Sequence, residues 1–131
     1  MDNSSQESSK LTIAIVKPHQ RAAIFKMRHD VYATELAQHS ENTEGHLKDS
    51  LDVFNTYIGV FVNDHMVGFV SITPPGHLAY SMDKYVSRQE VPLDFDEKLY
   101  EVRILTVDKS HRGGKAAILL MYGAFRWIEA H

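Results

Sequence analysis

The stretch EVRILTVDKSHRGGKAAILLM, residues 101–121, constrains the fold more than any other part of the chain. A β-branched run ends at Val107, a basic turn with two adjacent glycines follows, and the next run is apolar on nearly every face. β-Branched residues favour strands, whereas a long apolar run with helical periodicity favours a buried helix. The pattern therefore predicts a strand over residues 99–107, a tight turn, and a helix over residues 114–130.

The turn over residues 108–115 has the composition of an anion site. Gly113 and Gly114 allow backbone N–H groups to approach a bound group closely, and the start of the helix adds partial positive charge. Arg112 and Lys115 add two full charges, so the turn favours a pyrophosphate. The alternative is an ordinary turn with two helix-entry glycines. A Walker loop and a Rossmann fingerprint are excluded because their glycine patterns are missing.

The composition favours one compact domain and excludes several classes of function. The chain has 131 residues, of which 44% are hydrophobic and 24% charged, and its net charge is −3. No basic stripe is available for nucleic acid, which is therefore not expected as a partner. The lack of cysteine excludes a disulfide framework and makes the cytoplasm the default location. No metal is implied by the spacing of the histidines, and no apolar run is long enough to predict a membrane partner.

The polar residues 1–10 predict a disordered tail, and residues 11–131 predict a single domain. β-Rich and alternating runs predict strands, and a 3.6-residue period predicts helices. In order, the remaining predicted elements are a strand at 11–17, a helix at 19–38, a polar loop at 40–52, an antiparallel hairpin at 56–62 and 66–73 around Asn63-Asp64-His65, a short helix or edge strand at 79–86, and a charged loop at 87–98.

Arg28 falls inside the apolar stripe of the predicted first helix. It lies four residues from both Ile24 and Tyr32, so its guanidinium is expected to point toward the core or a cleft and to need a carboxylate partner. The alternative is that its stem packs while its head reaches water. The loop after this helix carries two candidate carboxylates, Asp49 and Asp52.

The turn and its flanks resemble motif A of the GNAT superfamily of acyl-CoA-dependent N-acyltransferases, V-x-P-x-x-R-G-x-G-x-G/A. Lys109 stands where proline is common, and Lys115 where the third glycine is expected. A glycine-like backbone angle at Lys115 costs about 1 kcal/mol, or else its ammonium meets a phosphate. The order of elements agrees as well, which implies an α/β (α+β) GNAT-like fold with a mixed, mainly antiparallel sheet flanked by helices. The matching positions are Val107, Arg112, Gly113 and Ala117.

Within the superfamily, the chain is most similar to the branch of acyl-homoserine-lactone synthases and long-chain N-acyl amino acid synthases. The branch has an R-x-x-x-F/Y element, a D-x-x-D pair and a glutamate on the fourth strand. A Ser-Arg pair near that glutamate is not reproduced, because Arg103 and Ile104 stand there, which argues against a lactone product. The matching residues are Arg28 and Tyr32, Asp49 and Asp52, and Glu101.

The resemblance implies an N-acyltransferase, in the first instance an N-acetyltransferase. The donor would be acetyl-CoA or another acyl-CoA, or an acyl carrier protein thioester, and the acceptor the amine of a small molecule or amino acid. The alternative is a non-catalytic acyl-CoA-binding or interaction domain, a fragment of a larger multidomain synthase. The residues expected to bind the cofactor are Leu105, Thr106, Val107, His111, Arg112, Gly113, Gly114, Lys115, Ala116 and Ala117.

Glu101 is the candidate general base, acting directly or through water. The alternative for Glu101 is a strand carboxylate that is exposed or paired near Arg103. Asp49 and Asp52 could hold the acceptor amine or fix Arg28. The residues expected at the acceptor are Arg28, Tyr32, Asp49, Asp52 and Arg103.

In the family, a fifth strand follows the motif A helix and diverges from the fourth strand to make the cleft for the pantetheine arm. We therefore expect residues 11–131 to be the N-terminal portion of such a domain, incomplete at the C-terminus. The alternatives are a homodimer that completes the sheet and a fold that has kept binding without catalysis. Tyr122, on the last helix, is expected to pack in the core.

Overall fold

A computed structural model describes residues 10–76 and 79–131. One antiparallel sheet of four strands, which pair in their order along the chain, forms the middle layer. The predicted class, a mainly antiparallel sheet flanked by helices, is confirmed. The predicted tail over residues 1–10 lies outside the described residues apart from Lys10. The elements are β1 Thr12–Ile15, α1 Arg21–Arg28, β2 Thr56–Val62, β3 His65–Thr73, β4 Glu101–Val107 and α2 Ala116–Ala130.

Side chains alternate along β2 and β3, so both faces of the sheet carry apolar side chains. One helix covers each face. Ile58 and Val60 point to the face that Leu120 and Ala124 of α2 cover. Tyr57 and Phe61 belong to the other cluster, which includes Ile24 of α1. Each face of the sheet thus has its own apolar core.

The hairpin between β2 and β3 turns on only two residues. Asn63 and Asp64 both have positive φ, 49° and 68°. Two left-handed residues in sequence are typical of the type I′ turn that joins tightly twisted strands, and Asn and Asp tolerate that backbone. His65, predicted as part of the turn, is instead the first residue of β3.

The predicted helix over residues 19–38 is divided into three segments. A 3-10 turn at Pro18–Gln20 leads into α1, and a π-helix at His29–Glu35 continues it. The N–H of Leu36 donates to Val31 O at 2.8 Å, an i+5 bond, and Ala37 follows with φ 54°. A π-helical segment widens the turn and shifts the residues after it, and such segments occur frequently at functional sites.

The outer face of α2 is strongly apolar and exposed. Ile118 is 72% exposed, Tyr122 58% and Phe125 54%. The expectation that Tyr122 packs in the core is therefore wrong, because its helical position faces away from the sheet. Among the described strands, β4 pairs only with β3, so its other edge is open.

The connection from β3 to β4 is mostly irregular. Its described residues form two 3-10 turns, Ser81–Lys84 and Arg88–Glu90. The first turn lies where the sequence predicts a short helix or edge strand. In the described part of the chain, no helix combines the length and apolar character needed to cross a bilayer.

Gly68 allows β3, β4 and α2 to approach closely. A Cβ at this position would lie 2.8 Å from Thr106 O and 3.0 Å from Val60 Cγ1. We expect Gly68→Ala to lower the free energy of unfolding by about 1–3 kcal/mol, because overpacking forces the strand and helix apart. Urea denaturation measures the change.

Gly114→Ala is the matched control for this substitution. A Cβ at Gly114 meets only His111 O, at 3.7 Å, which is an ordinary contact. Its effect on unfolding should stay within about 0.5 kcal/mol. Equal losses in the two variants would contradict the packing argument.

Candidate functional site

A cavity of about 330 Å³ opens between α1, the loop that follows its π-helical extension, β4 and the first 3-10 turn after β3. Four of the five residues predicted for the acceptor line it. The remaining one, Asp52, lies just behind the wall and is buried. The lining residues are Arg28, Tyr32, Gln38, His39, Leu47, Lys48, Asp49, Ser81, Lys84, Tyr85, Arg103 and Ile104.

Two buried arginines and two aspartates form a connected ion network at the base of this cavity. Arg28 Nη1 lies 2.8 Å and 2.9 Å from the two carboxylate oxygens of Asp52. Arg103 Nη2 lies 3.0 Å from each oxygen of Asp49, and Arg28 Nη2 lies 3.3 Å from Asp49 Oδ2. The Arg28 side chain is only 9% exposed and is paired with carboxylates. The expectation that Arg28 needs a carboxylate partner is therefore confirmed. Both aspartates are paired with arginine.

A tyrosine and a third arginine reinforce the network. The Tyr57 hydroxyl donates to Asp52 Oδ1. Arg21 donates to the backbone carbonyls of Asp52 and Asn55, both at 2.8 Å, and its guanidinium stacks on the Tyr57 ring. Sequence reasoning missed both residues. One signal was available, because Arg21 and Arg28 are seven residues apart and so share a helix face.

The electrostatics of the network follow from burial and pairing. Burial opposes ionisation of Asp49, but Arg103 and Arg28 hold the pKa of this carboxyl below its usual range. Burial, together with the Asp52 carboxylate, raises the pKa of Tyr57 well above its usual range. The tyrosine therefore remains a neutral hydroxyl donor, and Asp49 an anion, at physiological pH.

The carboxylate of Glu101 lies at the start of β4. It accepts hydrogen bonds from the backbone N–H groups of Ser81, at 2.6 Å, and Met82, at 2.9 Å. These bonds orient the Glu101 carboxylate and hold the 3-10 turn Ser81–Lys84 against β4. A carboxylate has about four lone-pair positions, so further acceptor positions remain on Glu101.

A bulge interrupts β4 where the strand borders the cavity. Phe69 pairs with Thr106 and Ser71 with Arg103, so two residues of β4 face one residue of β3. Ile104, inside the bulge, has φ 55°. Left-handed backbone at a β-branched residue costs about 1–3 kcal/mol and is concentrated at functional sites. The bulge bends the strand and frees backbone groups from the ladder.

Tyr32 connects the π-helical segment to β4. Its hydroxyl lies 3.0 Å from Thr106 Oγ1, and the Thr106 hydroxyl also donates to Ile104 O at 3.1 Å. Thr106 was predicted to bind the cofactor, but its side chain is buried and occupied by these bonds. The backbone of Thr106, like that of Leu105 and Val107, is part of β4.

The turn after β4 is organised by Asp108. Asp108 Oδ1 accepts bonds from the His111 N–H at 3.0 Å and from Ser110 Oγ at 3.0 Å, and lies 2.6 Å from His111 Nδ1. Burial opposes ionisation of Asp108, but these bonds hold the pKa of its carboxyl below the usual range. The His111 side chain is therefore directed at Asp108.

The glycines of the turn lie where the chain enters α2. Gly113 has φ 83°, whereas Lys115 has φ −86° and an ordinary right-handed backbone. Lys115 therefore replaces the expected third glycine without backbone strain. The first amides of a helix have few partners within it, and Gly114 and Lys115, which precede α2, are exposed.

Arg112 is held away from this helix start. Its Nε donates to Val107 O at 2.9 Å, and Nη2 donates to Glu35 Oε1 at 2.8 Å. The hydrogen bond from Arg112 holds the pKa of Glu35 below its usual range. This pair fixes the turn to the end of the π-helical segment. Lys115 is the exposed cation at the helix start itself.

A cation-π cluster stabilises the connection between β3 and β4, where Tyr80, Arg88 and Phe95 line a second cavity. The Arg88 guanidinium lies 5.0 Å from the ring centroid of Tyr80 and 4.9 Å from that of Phe95. Arg88 also forms an ion pair with Asp83 at 2.8 Å, and its hydrogen bond lowers the pKa of Asp83 to about 2. In the described part of the chain, no group of three His, Asp or Glu side chains could hold a metal ion.

Comparison with known proteins identifies the family and the fold of the chain. The Acetyltransferase (GNAT) domain family matches residues 27–122. No curated protein sequence matches the chain. Structures that share the fold include a CoA-dependent acyl-homoserine lactone synthase, BjaI, determined with SAM and isopentyl-CoA. That structure has a TM-score of 0.74 and 19% identity, and the match covers 92% of this chain and 62% of the synthase.

Two further structures with the same fold differ in what they acylate. A ribosomal-protein-alanine N-acetyltransferase from Brucella melitensis biovar Abortus 2308 has a TM-score of 0.56 and 20% identity, covering 92% of this chain and 73% of that one. An aminoglycoside acetyltransferase from an uncultured soil metagenomic sample has a TM-score of 0.60 and 11% identity, covering 92% and 70%. The chain thus spans less than two thirds of BjaI and somewhat more of the other two.

The ion network makes Arg28 a stability determinant. We expect Arg28→Met to lower the free energy of unfolding by about 3–5 kcal/mol, because it leaves Asp52 buried without its cation. Urea denaturation at neutral pH measures the loss.

Lys26→Met is the control for the Arg28 substitution, on the same helix. Lys26 and Asp30 form an ion pair at 2.6 Å, but their side chains are 66% and 51% exposed. Removing this pair should cost less than about 0.5 kcal/mol. A small loss in both variants would show that the buried network does not stabilise the fold.

Proposed function

Because the chain belongs to the GNAT acetyltransferase domain family, we propose that it transfers an acyl group from acyl-CoA to the amine of a small molecule or amino acid. The β4 bulge at Ile104 carries the proposal. The strand is bent at this bulge, and Ile104, whose backbone is strained, lines the cavity. The turn that contains Gly113 then connects β4 to the start of α2. An acyl donor held along β4 would thus present its thioester to the cavity.

The turn after β4 fits the diphosphate of coenzyme A. Gly113 has the backbone angle that lets successive amides converge, and the start of the 15-residue α2 supplies unpaired amides and positive dipole charge. Lys115 adds a full charge, and Arg112 fixes the turn through Glu35. We assign the diphosphate to residues 111–117 and the pantetheine arm to the open edge of β4 at residues 105–107. Bound acyl-CoA would supply the acyl group as a reactive thioester.

We assign the acceptor amine to the cavity. In direct transfer, the ammonium first loses a proton, and its nitrogen then attacks the thioester carbonyl carbon. The carbonyl oxygen gains negative charge, which backbone N–H groups near the bulge would stabilise. The carbonyl then re-forms as the carbon–sulfur bond breaks, and the thiolate takes the second proton lost by the attacking nitrogen and leaves as the free thiol of coenzyme A. Glu101 is the base in this proposal and would accept the proton through a water molecule on its free lone pairs.

The proposal also covers the carrier of the acyl group and the location of the protein. Acetyl-CoA is the simplest donor, and a longer acyl-CoA or an acyl carrier protein thioester offers the same reacting group. The lack of cysteine in the sequence supports a cytoplasmic location.

The first test measures CoA binding and turnover. We expect coenzyme A to raise the melting temperature saturably, because a ligand that binds only the folded state stabilises it. Lys115→Glu should weaken CoA affinity at least about tenfold, since it removes a charge-assisted contact. Lys17→Glu is the charge-matched control, on an exposed position between β1 and α1.

Free-thiol release from acetyl-CoA with a panel of amines completes this test. Release above the amine-free rate supports acyl transfer. If coenzyme A binds but no amine in the panel causes thiol release, the alternative, a non-catalytic acyl-CoA-binding domain, is favoured. A CoA affinity that is equal in the Lys115 and Lys17 variants would refute the assignment of the diphosphate to this turn.

The second test concerns Glu101. We expect Glu101→Gln to lower kcat at least about 100-fold while CoA affinity stays the same, because an amide cannot accept the proton. Glu97→Gln, an exposed carboxylate in the preceding loop, is the control. An undiminished kcat would sink the base assignment. A loss of stability that accounts for all of the lost activity would make Glu101 a structural cap of the 3-10 turn.

A further inference from the structure

His29 is a buried histidine that the acyl-transfer proposal does not use. It is the first residue of the π-helical segment, and its side chain is 8% exposed. The Nε2 atom of His29 accepts a hydrogen bond from the backbone N–H of Asn42 at 3.0 Å. A ring nitrogen that accepts a hydrogen bond carries no proton. This contact therefore requires a neutral imidazole with its proton on Nδ1.

Asn42 is the centre of a compact turn in the loop that follows the π-helical segment. Its Oδ1 accepts bonds from the N–H groups of Gly45, at 2.8 Å, and His46, at 3.2 Å. Among the described residues, the bond to His29 is the only hydrogen bond that joins residues 40–46 to another segment. Exposed segments with few contacts open easily, and residues 40–44 are exposed. The bond to His29 therefore decides how firmly the turn is held.

This turn connects two parts of the cavity wall. His39 precedes it and Leu47 follows it, and both line the cavity. Farther along the same loop, the aspartates of the buried ion network are held by Arg28. Two consecutive residues of one helical segment, Arg28 and His29, thus hold one loop. Arginine stays charged at all relevant pH values, whereas histidine is the side chain that most readily changes charge between about pH 5 and 8.

Few charged groups face the His29 ring. Asp30 Oδ1 lies 3.8 Å from its Nδ1 and is the one carboxylate, among the described residues, close enough to pair with a protonated His29. Asp30 also forms an ion pair with Lys26. Nδ1 is buried and has no hydrogen-bond partner in the described part of the chain. The titratable side chains of the turn and its flanks form no ion pair or hydrogen bond with His29; they are His39, Glu41, Glu44 and His46.

Protonation of His29 places a hydrogen on Nε2, at the position that the Asn42 N–H already approaches. Two donors then face each other and the bond is lost. We propose that His29 is a positioning residue for acyl transfer, which in its neutral form holds residues 40–46 in place beside the cavity and on protonation releases them. This inference rests on the proposed acyl transfer and adds a control of it by pH. The anchoring is present at higher pH and is lost as the pH falls.

Amide hydrogen exchange of Asn42, followed by NMR, tests the anchoring. The protection factor corrects the exchange rate for the pH dependence of an unstructured amide. Between about pH 7.5 and about pH 5.5, we expect the protection of Asn42 to fall at least about fivefold relative to the amides of β2. The β2 strand is paired on both sides and reports any loss of the whole fold.

His29→Gln identifies the group that titrates. A glutamine oxygen reaches about as far as Nε2 and accepts the same bond without titrating, so the protection of Asn42 should no longer depend on pH. His19→Gln is the matched control, at an exposed histidine before α1, and should leave the fall unchanged. An equal fall in the His29→Gln variant and the wild-type protein would overturn the inference.

The wild-type protein provides a second measurement that needs no substitution. The pH midpoint of the fall in Asn42 protection should coincide with the titration midpoint of the His29 ring, which NMR follows through its carbon-bound protons. A clear difference between the two midpoints, or protection that does not change with pH, would overturn the inference. Neither measurement requires an acyl donor.

Turnover connects the anchor to the reaction. With acetyl-CoA and an amine acceptor, the KM of the acceptor should rise at least about threefold more in the wild-type protein than in the His29→Gln variant between about pH 7.5 and about pH 5.5. Ionisation of the acceptor is the same in both measurements and cancels. Equal changes in KM, although Asn42 is released, would overturn the positioning role.

Failure of the transfer proposal has a different signature. If the wild-type protein releases no thiol with any amine, the transfer proposal is overturned, and with it the effect of His29 on turnover. The exchange measurement then still decides whether His29 holds the turn. Thiol release together with pH-independent protection of Asn42 would keep the transfer proposal and overturn this inference alone.

Discussion

The buried network of Arg28, Asp52, Asp49 and Arg103 is the interaction on which the arrangement of the site depends. It ties α1 to the loop before β2 and both of them to β4, three parts of the chain that are distant in sequence. Such charges are stable away from water only if each has its partner in place. The cavity therefore has a rigid, electrically balanced base, and its residual charge comes from the side chains at its mouth.

The fold could be predicted where local pattern determines it. The alternation along β2 and β3, the turn at Asn63-Asp64 and the strand, turn and helix around Gly113 all follow from side-chain periodicity and turn chemistry. Two features could not be predicted. Ile104 is β-branched and favours extended backbone, yet it has φ 55° inside the bulge, where two residues of β4 face one residue of β3. The π-helical segment breaks the 3.6-residue period that predicted a single helix.

The site was predictable in part for the same reason. Arg28 in an apolar stripe predicted either a guanidinium that needs a carboxylate partner or a packed stem with its head in water, and the structure shows the first. The pairing of Arg103 with Asp49, and of Arg112 with Glu35, joins residues that only the tertiary fold brings together. Lys48 and Lys84, which line the cavity, could not be predicted, because an exposed lysine has no sequence signature until the shape of the surface around it is known.

The outer face of α2 has a consequence for the behaviour of the chain in solution. Ile118, Tyr122 and Phe125 are exposed on the face of α2 that points away from the sheet. Exposed apolar side chains favour contacts between molecules, and so does a strand edge without a partner, such as that of β4 among the described strands. At high concentration, molecules of this chain are therefore expected to associate through these surfaces unless another surface covers them.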